Sequence, residues 1–137
     1  GILASADKDL IAFLKKDVSI WNLNSFAEFF MQIYTKHEAD YIKAAVKFRA
    51  ERHRFMDELS GIPYLKVFPS QANYFLCEVL PPYSSNALAV TLLKEYNILI
   101  KDCSGKKAFD GRNCIRLAIR DRKDNVRLTD ALKKILK

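Results

Sequence analysis

From Cys114 to Arg120 the sequence reads Cys-Ile-Arg-Leu-Ala-Ile-Arg, an alternation of apolar and other residues with period two. Side chains on a strand point alternately to opposite faces, so Ile115, Leu117 and Ile119 turn one way and Cys114, Arg116, Ala118 and Arg120 the other. One face is core, and the other carries two guanidiniums on a rigid element. A guanidinium offers planar, paired donors that match a carboxylate or a phosphate, which makes a strand-held arginine a candidate anion anchor. The alternative is a solvated arginine on an edge strand. Upstream, Ile98-Leu99-Ile100 predicts an apolar strand, followed by Lys101-Asp102-Cys103-Ser104 and a glycine-bounded loop from Gly105 to Gly111.

The rest of the chain supplies helices to cover such a sheet. Gly1 to Ser5 reads as a short buried strand with nothing nearby in sequence to pair with, and no initiator methionine precedes it, as expected of a piece of something longer. Leu10, Ile11 and Leu14 sit at helical spacing behind a possible Ser5 or Asp7 cap. Val18 to Asn24 breaks that period as a hinge-like connector. Asn24 or Ser25 can cap the next helix, with Glu28 set to complete a capping box on Ser25.

An aromatic-rich helix is predicted from Ser25 to about His37, with Phe26, Phe29, Phe30, Ile33 and Tyr34 on its stripe. A second is predicted from about Glu38 to Ser60, with Tyr41, Ala44, Ala45, Phe48, Phe55 and Leu59 on one stripe and Lys43, Lys47, Arg49, Glu51 and Arg52 mostly off it. Both stripes are read as core. Gly61 and Pro63 stop the helix. Tyr64–Phe68 and Ala72–Leu80 predict two strands, Asn86–Glu95 a helix capped by Ser84 or Ser85, and the segment after Asp121 a closing amphipathic helix with Val126, Leu128, Leu132, Ile135 and Leu136. The class is α+β: a small, mostly antiparallel sheet of three to four strands with helices packed mainly on one side.

A chain of 137 residues that is 50% hydrophobic and 28% charged, with four glycines and four prolines, fits the length of one domain and is expected to be ordered and globular. The formal charge of +7 is spread over helix faces and the C-terminus, without the dense run that nucleic acid or an anionic membrane would favour. Three cysteines with no CxxC spacing indicate reduced thiols, not a disulfide framework or a zinc site. No apolar run approaches the roughly twenty residues of a membrane span, and no signal peptide is visible, so a cytoplasmic location is expected.

No complete active site follows from spacing alone. The two histidines, His37 and His53, are remote in sequence from Cys103 and Ser104, and there is no phosphate loop, GxGxxG or HExxH. The acidic residues are dispersed along helices like those of solvated faces.

Several stretches nevertheless occur together in a telling order: Gly1-Ile-Leu-Ala-Ser5 with Asp7; Trp21-Asn-Leu-Asn24-Ser25; Val67-Phe-Pro-Ser-Gln-Ala-Asn73-Tyr-Phe75; Ile98-Leu-Ile-Lys-Asp-Cys-Ser104; Ile115-Arg-Leu-Ala-Ile-Arg120; and Asp124-Asn-Val-Arg-Leu128 with Ala131-Leu132. In these the chain resembles the C-terminal part of the class I/II pyridoxal-phosphate-dependent aminotransferases, in the branch that holds histidinol-phosphate aminotransferase and threonine-phosphate decarboxylase.

The resemblance implies that residues 1–23 are a large-domain strand remnant, a short helix and a connector, and that 24–137 are the small C-terminal domain. It implies that Arg116 grips the substrate carboxylate and that Lys101 stands where the branch usually has an arginine toward the distal or phosphate end of the substrate; a lysine there keeps the charge and gives up the bidentate fork. Asn22 and Asn24 fall at the connector, in capping roles. The Schiff-base lysine, the arginine for the cofactor phosphate, and the aspartate and aromatic residue at the pyridine ring belong upstream of Gly1, and Lys8 lies too far downstream to replace the first.

No catalytic, cofactor-binding or metal-binding residue is therefore expected in this chain. Its implied parent binds pyridoxal 5'-phosphate, acts on a small amino-acid or amino-phosphate substrate, contains a large cofactor-binding domain in the same chain and forms a homodimer, without nucleic acid or membrane as partner. The piece alone is expected to be inactive. Decarboxylation shares cofactor and fold with transamination and stays open as an alternative. So does a basic module for RNA or another acidic partner, which would want cations clustered with exposed aromatics on one sheet face.

Overall fold

A computed structural model of the chain describes residues 3–18, 23–109 and 111–135. In order they form α1 (Lys8–Asp17), α2 (Ser25–Ser60), β1 (Leu65–Val67), β2 (Tyr74–Val79), α3 (Ser85–Tyr96), β3 (Lys101–Asp102), a 3-10 turn at Lys107–Phe109, β4 (Cys114–Ala118) and α4 (Arg122–Lys134). The chain divides into two compact units, Gly1–Lys43 and Ala44–Lys137.

The first unit is helical. The Asp7 carboxylate caps α1 by accepting from the Asp9 and Leu10 N–H groups at 3.0 and 2.9 Å, and Lys15 and Lys16 suit the negative end of the helix dipole. No residue of α1 is buried. At α2 the cap is Asn24, whose Oδ1 accepts from the Ala27 N–H at 2.9 Å, in place of the capping box expected on Ser25. Leu3–Ser5 are paired with no strand, contrary to the expected opening strand, while its Gly1 and Ile2, and Trp21 and Asn22 of the connector, lie outside the described residues.

Two expectations for α2 need correction. It is one helix of 36 residues, not two. No glycine or proline stands between Ser25 and Ser60, and nothing else stops a helix so firmly, so the helix runs on through His37. The aromatic stripe of its first part is also not core: Phe26 is 86% exposed, and Phe29, Phe30 and Tyr41 are exposed with it. Phe30, Tyr34 and Tyr41 meet one another, with ring centroids 5.7 to 6.5 Å apart.

The second unit carries the sheet. Its strand order is β1-β2-β4-β3, every neighbouring pair antiparallel. β1 and β2 form a hairpin, and the connection through α3 carries the chain past the position later filled by β4, which then returns between β2 and β3. One face is sealed by Phe55 and Leu59 of α2, Leu88 and Leu92 of α3, and Leu128 and Leu132 of α4 against Phe75, Val79, Ile115 and Leu117 of the strands. The helices of this unit thus share one face of a small antiparallel sheet, the α+β arrangement expected.

Strand limits shift for local reasons. α3 is capped by Ser84 Oγ, which accepts from the Ala87 N–H at 3.1 Å, and ends at Asn97 in the left-handed region with φ 58°. The Ile98 N–H then returns to the Leu92 carbonyl, a common way to satisfy helix-end carbonyls. The predicted strand Ile98–Ile100 is spent on this exit, so pairing begins only at Lys101; Ile98 and Ile100 pack against the core while Leu99 is 81% exposed. At the other end β4 stops at Ala118, because the Arg120 N–H turns to the Asn125 side chain at 3.0 Å and Asp121 caps α4. Leu136 lies outside the described residues.

Polar residues expected off the α2 stripe are not all solvated. Arg52 is only 6% exposed, and its guanidinium donates to the Gln71 carbonyl and Oε1, each at 2.8 Å, fixing the turn between β1 and β2. Arg54 pairs with Glu51 and Glu58, and the Asn125 amide of α4 donates to Glu51 at 2.7 Å. Two acidic residues read as solvated-face residues therefore tie α2 to its own arginine and to α4.

Candidate active-site groove

The face of the sheet turned away from the sealed core gathers the residues singled out above. The ladder sets Arg116 between Leu76 on β2 and Lys101 on β3. Residues directly opposite on neighbouring strands hold their Cβ atoms about 4.5–5.5 Å apart, so Lys101 and Arg116 are adjacent cations on rigid backbone. Both are exposed and line an open groove of about 740 Å³ together with Ser104, Gly105 and Ala118. Neither side chain has a carboxylate partner among the described residues.

Arg116 also borders a second hollow of about 340 Å³, walled by Phe68, Tyr74, Leu76 and Phe109, with Lys106 at its edge. Its guanidinium carbon lies 5.2 Å from the centroid of the Tyr74 ring, within cation–π range. Sequence reading missed this contact. Period two puts Tyr74 and Leu76 on one face, but only the register of β2 against β4 brings that face to Arg116.

Arg120, expected beside Arg116 on the strand, does not join the groove. It lies past the end of β4 with its Nε donating to the Asp124 carboxylate at 2.5 Å, which raises the guanidinium pKa further and lowers that of Asp124. One strand-held guanidinium remains, not two.

Asp102 and Ser104 shape the groove wall and are not poised as a reactive pair. The Ser104 N–H and hydroxyl both donate to the Asp102 carboxylate, at 3.0 and 2.9 Å, and the Asn86 amide donates to it at 3.3 Å. Burial pushes the Asp102 pKa up, but the hydrogen bonds from Ser104, Ser85 and Asn86 outweigh it, and the carboxyl is held below its ordinary range.

The cysteines are free and buried. Burial, and then Cys114 nearby, push the Cys77 thiol up to about 12, and burial followed by Glu78 raises Cys114; neither is an activated thiolate. Both histidines lie exposed on α2. Among the described residues no group of three or more His, Cys, Asp or Glu could hold a metal, and no helix is long and apolar enough to cross a membrane.

The arrangement can bind a small dianion: one fork and one ammonium, side by side on two strands, open to solvent. The carboxylate and hydroxyl nearest them, those of Asp102 and Ser104, are hydrogen-bonded to each other.

Comparison with known proteins places this fold in a family. The family model described as aminotransferase class I and II matches residues 1–132. An L-serine phosphate decarboxylase of Campylobacter jejuni is 32% identical over 124 residues, covering 89% of this chain and 32% of that protein. A decarboxylase of Sulfurospirillum multivorans superposes with a TM-score of 0.80 at 30% identity, over 96% of this chain and 37% of the other. The histidinol-phosphate aminotransferase of Clostridium acetobutylicum does so with 0.75 at 34% identity, over 93% and 38%. The chain thus spans about a third of the length of these relatives. With nearly every residue covered by the family model, and the fold shared with solved relatives at 30% identity or more, the chain belongs to the class I and II aminotransferase family.

Proposed function

We propose that this chain is the C-terminal part of a pyridoxal-phosphate-dependent enzyme, in which Arg116 grips the carboxylate of a small amino-acid substrate and Lys101 meets a second anionic group at its distal end. The observation that carries this is the cross-strand pair itself. Like charges directly opposite on neighbouring strands destabilise a sheet, and here no carboxylate of the described residues compensates Lys101 or Arg116. An anionic substrate supplies what is missing, and the bidentate fork of arginine suits a carboxylate in particular.

On this reading residues 1–23 continue a larger cofactor-binding domain and residues 24–137 form the small domain. The cofactor serves as an electron sink when bound. Each described lysine is exposed, whereas a lysine that carries such a cofactor needs a desolvated pocket; the reading therefore assigns cofactor binding to the rest of a longer, homodimeric, cytoplasmic protein and leaves this piece inactive alone. The exposed apolar side chains of α1 and of the first part of α2 are then surface that the rest of that protein covers.

Transamination of a small amino compound is the principal reading. Decarboxylation of a phosphorylated amino acid is the second, favoured by the relatives in Campylobacter and Sulfurospirillum. An RNA-binding role is the weaker reading: such a module wants several exposed aromatics among its cations, and among the described residues Tyr74 is the one exposed aromatic on the sheet face with Arg116 and Lys101, while Phe13, Phe26, Phe29, Phe30 and Tyr41 belong to α1 and α2.

The test compares visible absorption after addition of pyridoxal phosphate for this chain and for the full-length protein. Only the full-length protein should develop the absorption of bound cofactor, and Arg116→Ala in it should weaken substrate binding at least tenfold, the loss of a charge-assisted hydrogen-bonded contact worth about 1.5–3 kcal/mol. Stoichiometric cofactor binding by the short chain through one of its lysines would overturn the assignment. The products from O-phospho-L-serine separate the two reactions: decarboxylation releases carbon dioxide and O-phosphoethanolamine, whereas transamination to an added 2-oxo acid leaves 3-phosphohydroxypyruvate and the amino acid of that acceptor.

A further inference from the structure

We propose that Tyr74 is the positioning residue for Arg116, its ring fixing the guanidinium in the orientation that grips the substrate anion. The proposal rests on the reading of Arg116 as a carboxylate anchor and goes beyond it in saying what holds that anchor.

Of the eight arginines, Arg49, Arg112 and Arg122 have no side-chain partner among the described residues, and the other five are held in different ways. Arg54 and Arg120 are tethered by carboxylates, and Arg52 and Arg127 donate to backbone carbonyls. Arg116 makes no side-chain hydrogen bond and no ion pair among the described residues, and its guanidinium carbon lies 5.2 Å from the Tyr74 centroid. A long side chain without a polar tether samples many rotamers, which a binding group cannot do without loss of affinity. A carboxylate tether would orient it but would neutralise its charge and occupy its donors. An aromatic face orients the cation through the ring quadrupole and leaves the N–H fork and the full charge to the ligand.

Local structure supports the ring in that place. Tyr74 stands opposite Ala118, so Arg116 is its diagonal neighbour across the ladder, within the reach of an aromatic side chain. The small Ala118 leaves the ring space to lean along the sheet. The phenol oxygen of Tyr74 has no hydrogen-bond partner among the described residues, so the ring and not the hydroxyl is the part that matters.

The test uses the cofactor-loaded full-length protein and two probes, O-phospho-L-serine and O-phosphoethanolamine, which differ by the carboxylate alone. Arg116→Ala should abolish the preference for the first. Tyr74→Leu should weaken O-phospho-L-serine about two- to fivefold and leave O-phosphoethanolamine unchanged, Tyr74→Phe should restore the parent value, and Tyr74→Leu should add nothing in an Arg116→Ala background. If Arg116→Ala removes the preference and Tyr74→Leu does not reduce it, the anchor stands and the positioning role of Tyr74 is wrong. Equal weakening of both probes by Tyr74→Leu reduces the ring to general packing and also overturns the proposal. If Arg116→Ala leaves the preference intact, the anchor reading itself fails and Tyr74 with it.

Discussion

Within one uninterrupted helix, Phe26, Phe29 and Phe30 stand open to solvent while Phe55 and Leu59, some seven turns further on, are completely buried. Both sets recur at helical spacing, and by pattern alone both are core. The difference is in what faces them. The later residues meet a sheet, with Phe55 packed edge-on against Phe75 at 5.9 Å, whereas the earlier ones belong to a unit whose described residues include no strand and no buried residue on α1. An amphipathic stripe says that a surface is made to be covered; it does not name the cover, and the cover need not lie within the chain at hand.

The sharpest way to break this comparison is to truncate one aromatic from each stretch. Phe55→Ala should cost the 137-residue chain about 3–5 kcal/mol in urea denaturation, from lost burial and the cavity left behind, enough to unfold a marginal domain. Phe29→Ala should change stability by less than about 0.5 kcal/mol, as for other exposed positions. Equal costs would show that the first stretch is packed after all. The same Phe29→Ala made in the full-length protein sharpens the contrast: there it should become destabilising, by about 2 kcal/mol or more if a second domain buries the ring.

A smaller effect is expected at the polar seam of the sealed unit. Asn125 is buried, accepts from the Arg120 N–H at 3.0 Å, and donates to the Arg120 carbonyl and to Glu51 at 3.0 and 2.7 Å. Asn125→Ala leaves those partners unsatisfied, at a cost of about 1–3 kcal/mol. Asn125→Asp should be worse than alanine, since it sets a second carboxylate against Glu51. If the aspartate variant is as stable as the parent, the Glu51 contact is not formed as described.

How much of this could be read from the sequence follows the same division. The alternation in β4 placed Ile115, Leu117 and Ile119 in the core, although Cys114 on the opposite face is buried too; the helix caps at Asp7 and Ser84 were visible as residue types, and the α+β class followed from the order of patterns. Arg116 was singled out as a candidate from the strand alone. What failed was long-range. The register that brings Tyr74 and Lys101 to Arg116, the exit of α3 that consumes Ile98–Ile100, and the diversion of Arg120 to Asp124 all depend on partners distant in sequence or on a turn whose geometry no single residue dictates. Arg52 was read as surface because arginine usually is; its burial requires the Gln71 carbonyl and amide oxygens, supplied by a turn 19 residues away.

The smallest predicted effect concerns the groove wall, where the sealed unit borders solvent. The Asp102 carboxyl is held below its ordinary pKa by donors that bond to the charged form. A group whose pKa is depressed by folding stabilises the folded state at pH above its unfolded value, about 3.9 for an aspartate, and loses that contribution as the pH falls through the folded value. Asp102→Asn should therefore lower stability modestly at pH 7, and the gap between variant and parent should close as the pH is taken below about 4. Urea denaturation of both chains between pH 7 and pH 2 reads this directly. A gap that stays constant over the whole range would mean that Ser104 and Asn86 bond the neutral side chain as well as the charged one, and that the wall of the groove owes its shape to hydrogen bonding without charge.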